Sequence, residues 1–183
     1  MTAPAFETQR LRLRTWQSGD RPAFVKMNQD PKVMRHFPGP YSTERSNSLV
    51  DKFMEHHEKH GFTVWALERK DTGQFIGFTG IVWIPYELPF TPAVEIAWRL
   101  VSEHWGLGFA TEAAHKSLDL AFNQFGIKEV VAMTTPGNTA SLRVMQKLGM
   151  SHTPNDDFDH PNVPEDSRLR RHVLYRLRKQ DFA

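Results

Sequence analysis

The sequence WGLGFATEA occupies residues 105–113, between a predicted strand at residues 94–101 and a predicted helix at residues 109–125. Gly106 and Gly108 are one residue apart, which lets the backbone approach a ligand closely and turns successive N–H groups toward one point. The free N–H groups of the following helix also favour an anion. This pattern predicts a turn suited to a pyrophosphate, and a tight turn without a ligand is the other interpretation.

Two common nucleotide motifs are excluded at this turn. A Walker loop requires Gly-Lys followed by Ser or Thr, and no such residues follow Gly108. A dinucleotide-binding fingerprint requires a third glycine, which is missing here. The turn therefore matches neither of these two motifs.

Outward from the turn, apolar periodicity and turn residues divide the chain into strands and helices. Strands are predicted at residues 10–14, 62–69, 75–84, 94–101, 129–133 and 171–178, with a further strand that starts at residue 150 and is interrupted by polar residues 154–166. Helices are predicted at residues 18–27, 42–60, 109–125 and 139–148. Antiparallel strands followed by strand–helix–strand–helix–strand predict one α/β domain over residues 1–183, with a mixed, mostly antiparallel sheet and helices on its faces.

Composition narrows the class of protein. The chain of 183 residues fits one domain, with 39% hydrophobic and 24% charged residues. It contains no cysteine, which excludes disulfides, thiolate zinc sites and cysteine nucleophiles and fits a reducing compartment. The formal charge of +2 is too balanced to indicate nucleic acid binding. No signal peptide or membrane span is recognised, so a cytoplasmic location is expected.

Neither of two polar clusters predicts a metal site. His56 and His60 share a helix face, but Glu58 is one place late for the zinc-protease pattern and a third ligand is lacking. A solvated helix end is the preferred interpretation. The acidic residues within residues 154–166 either attract a cationic amine or form an exposed loop, and the second interpretation is favoured.

Four segments in order resemble the GCN5-related N-acetyltransferase (GNAT) superfamily, and within it the ribosomal-protein N-terminal acetyltransferase (RimJ/RimL-like) branch. They are Glu95-Ile96-Ala97-Trp98, the turn and helix start at residues 105–113, Asn138-Thr139-Ala140-Ser141 and Lys147-Leu148-Gly149-Met150. The opening residues 8–14 and the pair Asp30-Pro31 are also similar to this branch. The resemblance spans about residues 7–178.

The resemblance implies that acetyl-CoA binds in a gap where the sheet is splayed at its centre, between the strands at residues 94–101 and 129–133. The pantetheine would pair with the backbone of Ala97, Trp98, Arg99 and Leu100, and the pyrophosphate would bind amides of Gly106, Leu107, Gly108, Phe109, Ala110 and Thr111. The superfamily often has Arg or Gln three residues before the first glycine, where this chain has Glu103. A local basic contribution to phosphate binding is thus in doubt.

The resemblance also implies catalytic residues. Glu95 would take the proton of the attacking amine, directly or through a water, and its other interpretation is a strand carboxylate paired to an arginine. Asn138 would hold the pantetheine, or cap its helix, or do both. Ser141 would donate a hydrogen bond to the departing thiolate, because Tyr41, Tyr86 and Tyr175 all lie outside the helix that follows Asn138.

The function predicted is therefore acetyl-CoA-dependent acetylation of a primary amine in a ternary complex, without a metal. The acceptor is either a protein N-terminus or a small molecule, and the sequence does not distinguish them. The alternative is a catalytically silent module that binds or senses acyl-CoA. The oligomeric state is not predicted, and a homodimer stays among the alternatives.

Overall fold

The structure, a computed structural model, describes residues 5–182. Nine strands form one sheet in this part of the chain. The strands are β1 (Ala5–Glu7), β2 (Leu11–Arg14), β3 (Val64–Arg69), β4 (Phe75–Trp83), β5 (Val94–Leu100), β6 (Glu129–Thr134), β7 (Ser151–His152), β8 (Phe158–Asp159) and β9 (Arg171–Arg178). The helices are α1 (Arg21–Gln29), α2 (Pro31–Met34), α3 (Thr43–His60), α4 (Phe109–Asp119) and α5 (Thr139–Lys147).

The strand order is β1-β2-β3-β4-β5-β6-β9-β7, with β8 also paired to β9. Every pairing is antiparallel except that of β5 with β6, which is parallel. The crossover from β5 to β6 runs through α4, as a parallel pair requires. The predicted mixed, mostly antiparallel α/β domain is confirmed.

Capping explains where the longest helix begins and ends. Ser42 Oγ accepts a hydrogen bond from the Arg45 N–H at 3.1 Å, and Gly61 closes the helix at φ 77°. Asp30 follows the end of α1, and its Oδ1 accepts from the Lys32 N–H at 2.8 Å and starts α2. Asp30-Pro31 therefore separates two helices, since proline is favourable in a first helical turn.

Helices cover both faces of the sheet. On one face α4 and α5 bury apolar side chains such as Ala113, Leu118 and Met145 against the strands. On the other face α1, α2 and α3 form a second core around Phe24 and Val50. The space between β5 and β6 is therefore bordered by α4 and α5 on one face of the sheet and by α1, α2 and α3 on the other.

Three regions differ from the sequence expectations. The predicted helix at residues 109–125 is α-helical only to Asp119, and a π-helical turn, Leu120–Gln124, follows. Residues 154–166 contain β8, and Phe158 and Val163 within them are buried. β1 was not predicted. Among the described residues, no helix combines the length and apolarity that crossing a bilayer would demand.

Candidate active site

The sheet opens between β5 and β6. The two strands pair at only two positions, Val94 with Val130 and Glu95 with Val131. Beyond these positions β5 remains paired to β4, and β6 to β9, to the ends of the strands. The facing edges of β5 and β6 therefore diverge and leave backbone groups open in a V-shaped gap.

Alternate residues of β5 turn their backbone groups toward β4. The Ala97 carbonyl accepts from Thr79 Oγ1 on β4 at 3.1 Å, and the Val101 N–H donates to the Ile76 carbonyl. Antiparallel pairing alternates in this way along a strand, so the backbone of Arg99 also faces β4. The backbone groups of Ala97 and Arg99, predicted to hold the pantetheine, thus point away from the gap.

The intervening residues of β5 face the gap. The same alternation turns the N–H and C=O of Trp98 toward it. The Leu100 carbonyl lies on this side too, but it accepts a hydrogen bond from Trp105 Nε1 at 2.8 Å. Among the four residues predicted for the pantetheine, Trp98 therefore presents both backbone groups to a ligand.

The turn after β5 presents a row of free amides. Gly106 and Gly108 have φ of 76° and 83°, a conformation that glycine adopts without strain. In the described chain none of the six backbone N–H groups of residues 106–111 has a hydrogen-bond acceptor. Six consecutive free donors at the start of α4 fit a pyrophosphate, because its oxygens accept such bonds and the helix dipole favours negative charge.

Arg10, the residue before β2, supports the turn through hydrogen bonds. Its Nη1 donates to the Leu107 carbonyl at 3.0 Å, and its Nε donates to Glu112 at 2.6 Å. Although burial opposes ionisation, hydrogen bonds from Thr8 and Arg10 hold the pKa of Glu112 below its usual value. Arg10 therefore fixes the carbonyl side of the turn and leaves the amide side free.

Basic groups lie near the turn despite Glu103. Arg10 reaches it as described, and the Arg35 guanidinium lies 5.4 Å from the ring of Trp105. Arg12 and Arg14 on β2 pair with Glu7, Glu68 and Asp20, so these two arginines have a structural role.

Glu95 is half-buried at the point where the strands separate. Among residues 5–182 its carboxylate has neither a hydrogen-bond nor an ion-pair partner, so the arginine pairing considered from the sequence is not what the structure shows. Burial raises the pKa of Glu95 to about 7. A carboxylate with this pKa can accept a proton from an ammonium group near neutral pH.

A tyrosine–histidine pair stands beside Glu95. Tyr86 Oη and His160 Nε2 are 3.0 Å apart, which links the loop before β5 to the loop before β9. Burial and the charge of His172 lower the pKa of His160 to about 4, so His160 is neutral at pH 7. Because His160 Nδ1 accepts from the Asn162 N–H at 3.2 Å, its proton lies on Nε2 and is donated to Tyr86.

That hydrogen bond leaves the hydroxyl proton of Tyr86 free to donate elsewhere. Burial and the nearby charge of Glu95 both raise the pKa of Tyr86, so the hydroxyl stays protonated. Sequence reasoning missed this pair. The only signal was the order suggested by His160-Pro161 within the polar segment.

Asn138 and Ser141 lie at the start of α5, directly after β6. Asn138 Oδ1 accepts from the Ser141 N–H at 3.3 Å, so Asn138 caps the helix. Its Nδ2 donates to Thr134 Oγ1 at 2.9 Å, which ties the cap to the end of β6. Ser141 Oγ has no partner in the described part of the chain and is not sealed from solvent. Its hydroxyl is thus available to a ligand.

Several carboxylates of the acidic segment are paired with residues outside it. Asp156 pairs with Arg176 at 3.0 Å, and Asp157 with His152 at 2.8 Å. Asp159 lies 3.5 Å from Arg171. These three contacts hold the loop against β9 and its neighbours, and Asp156 and Asp159 are paired with arginines.

His56, near the end of α3, has a structural role. His56 Nδ1 bonds the Phe62 carbonyl at 2.8 Å, and its Nε2 accepts from the Trp83 N–H at 3.0 Å. Both ring nitrogens are used, so His56 joins α3 to the sheet instead of forming the solvated helix end expected from the sequence. Across residues 5–182, no three metal-ligating side chains are grouped to hold an ion.

Comparison with known proteins places the chain in a family. The family described as Acetyltransferase (GNAT) domain matches residues 10–151. The uncharacterized protein YkkB of Bacillus subtilis (strain 168) is 34% identical over 147 residues, which cover 80% of this chain and 84% of YkkB. This chain belongs to the GNAT acetyltransferase family and is an acetyltransferase.

Solved structures share the fold. An acetyltransferase from Agrobacterium tumefaciens str. C58 is 25% identical with a TM-score of 0.77, covering 97% of this chain and 95% of its own. RimL, a ribosomal L7/L12 alpha-N-protein acetyltransferase solved with coenzyme A, is 15% identical with a TM-score of 0.76, covering 96% of this chain and 98% of its own. At 15% identity the second likeness shows the fold alone.

Proposed function

We propose that this chain transfers the acetyl group of acetyl-CoA directly to a primary amine bound beside Glu95. The observation that carries the proposal is the junction of three features at one gap. Diverging strands expose backbone groups, six free amides follow at the turn, and a half-buried Glu95 with a pKa of about 7 lies where the strands separate.

Acetyl-CoA, when bound, supplies the acetyl group as a thioester. The Trp98 backbone would orient the pantetheine, and the amides of residues 106–111 would bind the pyrophosphate. Asn138, which we expected to hold the pantetheine, is the helix cap and offers only its remaining hydrogen-bonding capacity to a ligand. The free donors support this placement because they have no other acceptor.

Glu95 would remove the proton that the amine must lose. An α-amine has a pKa near 8 and a lysine side chain a pKa near 10.4, so each is mainly charged at pH 7. A base with a pKa of about 7 is well matched to an α-amine at neutral pH. The Tyr86 hydroxyl next to Glu95 would orient a water or the amine itself.

The acceptor that we favour is a protein N-terminal α-amine or a small-molecule amine. The resemblance to the RimJ/RimL-like branch supports the first, and the RimL neighbour shares the fold. A shared fold hosts many acceptors, so the choice depends on the residues around Glu95.

Thiol release from acetyl-CoA tests the proposal. A panel of amines, including peptides that begin with Ala or Ser, should contain at least one member that accelerates thiol release and is recovered in acetylated form. Tight CoA binding with no acceleration by any amine would instead identify the alternative, a silent acyl-CoA-binding module.

Ser141→Ala should lower kcat with little change in the affinity for acetyl-CoA. The hydroxyl would stabilise the departing thiolate, whose charge develops only as the reaction proceeds, so we expect a loss of roughly tenfold or more. The cap should survive, because Asn138 accepts from the Ser141 backbone rather than its side chain. Steady-state kinetics measures the loss, with Thr139→Ala on the same helical turn as the control. An unaltered kcat would remove Ser141 from the mechanism.

A further inference from the structure

Arg99 is a partly buried cation on the face of β5 that carries Glu95. Residues 95, 97 and 99 alternate with the residues that pack under α4, so all three face α1, α2 and α3. Arg99 Nη1 donates to Asn28 Oδ1 at 2.7 Å, and its guanidinium lies 4.1 Å from the ring of Phe37. Arg99 Nε is sealed from solvent and lacks an acceptor.

No carboxylate in the described residues pairs with Arg99. Its hydrogen-bond partner Asn28 is a neutral amide that is itself held by Ser46 at 3.1 Å. Burial lowers the pKa of Arg99, a hydrogen bond with the Tyr41 hydroxyl opposes this effect, and the charge of Arg45, another cation, lowers the pKa further. The positive charge is therefore not compensated by a carboxylate of the described residues.

Arg14 shows how this chain treats a buried arginine that has a structural role. Its side chain is 12% exposed and forms ion pairs with Asp20 at 2.7 Å and Glu68 at 2.9 Å. These bonds raise the pKa of Arg14, although burial opposes them. Removing an unpaired charge from water is costly, so an arginine with a purely structural role is expected to have a carboxylate partner. Arg14 has such partners, whereas Arg99 does not have one among the described residues.

Arg99 also retains donors for a ligand. Among the described residues Nη2 has no carboxylate partner, and it is not sealed from solvent. Phe37, in the loop at residues 35–42, packs over Arg99. The same loop places His36 Nδ1 3.3 Å from Thr135 Oγ1, just beyond β6. The charges of Arg35 and Arg168 both act on His36, so this side of the gap is basic on both flanking loops.

We propose that Arg99 binds an anionic group of the acceptor, so that the substrate is an amine that also carries a carboxylate or a phosphate. The inference rests on the proposed acetyl transfer and deepens it by naming the acceptor class. The pairing of Asp156 and Asp159 with arginines is consistent with it, since a polycationic acceptor would meet basic loops and carboxylates that already have cationic partners.

Matched acceptors test this class. We would measure kcat/KM for three kinds of acceptor pair, each with an anionic and a neutral member. The first pairs ω-amino acids of increasing length with their carboxamides, and the second pairs aminoalkyl phosphates with aminoalcohols. The third pairs peptides that differ only in having Asp or Asn after the first residue. In the wild type at least one anionic member should exceed its neutral partner by roughly tenfold or more, since a bond to a charged group contributes about 1.5–3 kcal/mol. Whether the carboxylate or the phosphate pair shows the larger ratio identifies the anion.

Substitutions assign the preference to Arg99. In Arg99→Gln the ratio of anionic to neutral acceptor should fall to about one, and in Arg99→Lys part of it should remain. Arg21→Gln, which removes an arginine on α1 that is already paired with Asp51, is the matched control and should keep the full ratio. A ratio near one in the wild type, or a ratio that survives in a folded Arg99→Gln protein, would overturn the proposal.

A binding measurement separates this inference from the proposed function. With the protein saturated with CoA, the best anionic acceptor should raise the unfolding temperature of the wild type and of Arg21→Gln, but not of Arg99→Gln. Anion-dependent stabilisation without any acetyl transfer would retain the anion site and reject the enzyme activity. Acetyl transfer without an effect of the anion on rate or stability would retain the enzyme activity and reject the anion site.

Discussion

Glu95→Gln should reduce kcat/KM by roughly 10²–10⁴-fold at pH 7, because general base catalysis contributes about this much. Glutamine preserves the size of the side chain but cannot accept the proton. The glutamine variant then depends on amine that has already lost its proton in solution.

The pH profile should change in a defined way. Burial raises the pKa of Glu95 to about 7, so wild-type kcat/KM should fall as the pH drops below about 7. In the variant this inflection should move to the pKa of the acceptor, near 8 for an α-amine or near 10.4 for a lysine side chain. The deficit should therefore be full up to about pH 7 and shrink as the pH approaches that value, which also identifies the class of amine.

Glu129→Gln provides a matched control. Glu129 lies on β6 and pairs with Arg176 and Arg178 at 3.0 Å, so the same substitution on the neighbouring strand removes only ion pairs. Its profile should keep the inflection near pH 7. A deficit that is equal at every pH in a folded Glu95→Gln protein would make Glu95 a structural residue.

The same variant should be more stable than the wild type at alkaline pH. Between the usual value of 4.5 and the folded value of about 7, the folded protein keeps a proton on Glu95 that the unfolded chain has lost. Wild-type stability therefore falls as the pH rises through this window, by about 3 kcal/mol at most. Denaturant titrations at pH 8 and pH 4 should show an advantage for Glu95→Gln at pH 8 that is nearly gone at pH 4. If Glu95→Gln and the wild type differed in stability by the same amount at pH 8 and pH 4, the pKa of Glu95 in the folded protein would not be raised.

Gly108→Val should weaken CoA binding by about tenfold or more, the effect of losing one or two hydrogen bonds to charged oxygens. Gly108 has φ of 83°, and a Cβ there would lie 3.3 Å from Arg10 Nη2. A branched side chain would strain the turn and occupy space beside the free amides. Titration calorimetry with CoA measures the change.

Gly126→Val separates loss of the site from general strain. Gly126 also has a positive φ, 68°, but a Cβ there meets nothing within 4 Å. This variant should lose stability for the same backbone reason while binding CoA normally. Unchanged CoA affinity in a folded Gly108→Val protein would place the pyrophosphate elsewhere.

Local signals predicted most of the fold because each has a local cause. Ser42 and Gly61 bound α3, and the turn at Gly106 and Gly108 lies between β5 and α4. β1 was missed because three residues are too few to show a strand periodicity. Its strand conformation depends on its pairing with β2. The π-helical turn after Asp119 likewise has no period of its own.

In the candidate site, residue spacing alone could predict only the part that is formed by the local backbone. The glycine spacing indicated the amide row, and the resemblance indicated Glu95 and Ser141. The lack of a carboxylate partner for Arg99 among the described residues was not visible, because it depends on which side chains from α1 and the loop at residues 35–42 surround it. The contact of Tyr86 with His160 joins residues 74 positions apart, which no local pattern encodes.

Incubation of the protein with acetyl-CoA alone, followed by addition of an amine, tests direct transfer most directly. Thiol release and the intact mass of the protein would be followed together. We predict no thiol burst and no acetylated protein before the amine is added, then thiol release in equal amount to the acetylated amine. A stoichiometric burst with an acetyl group on the protein would contradict attack by the amine itself, and bound CoA with no transfer to any amine would contradict the activity.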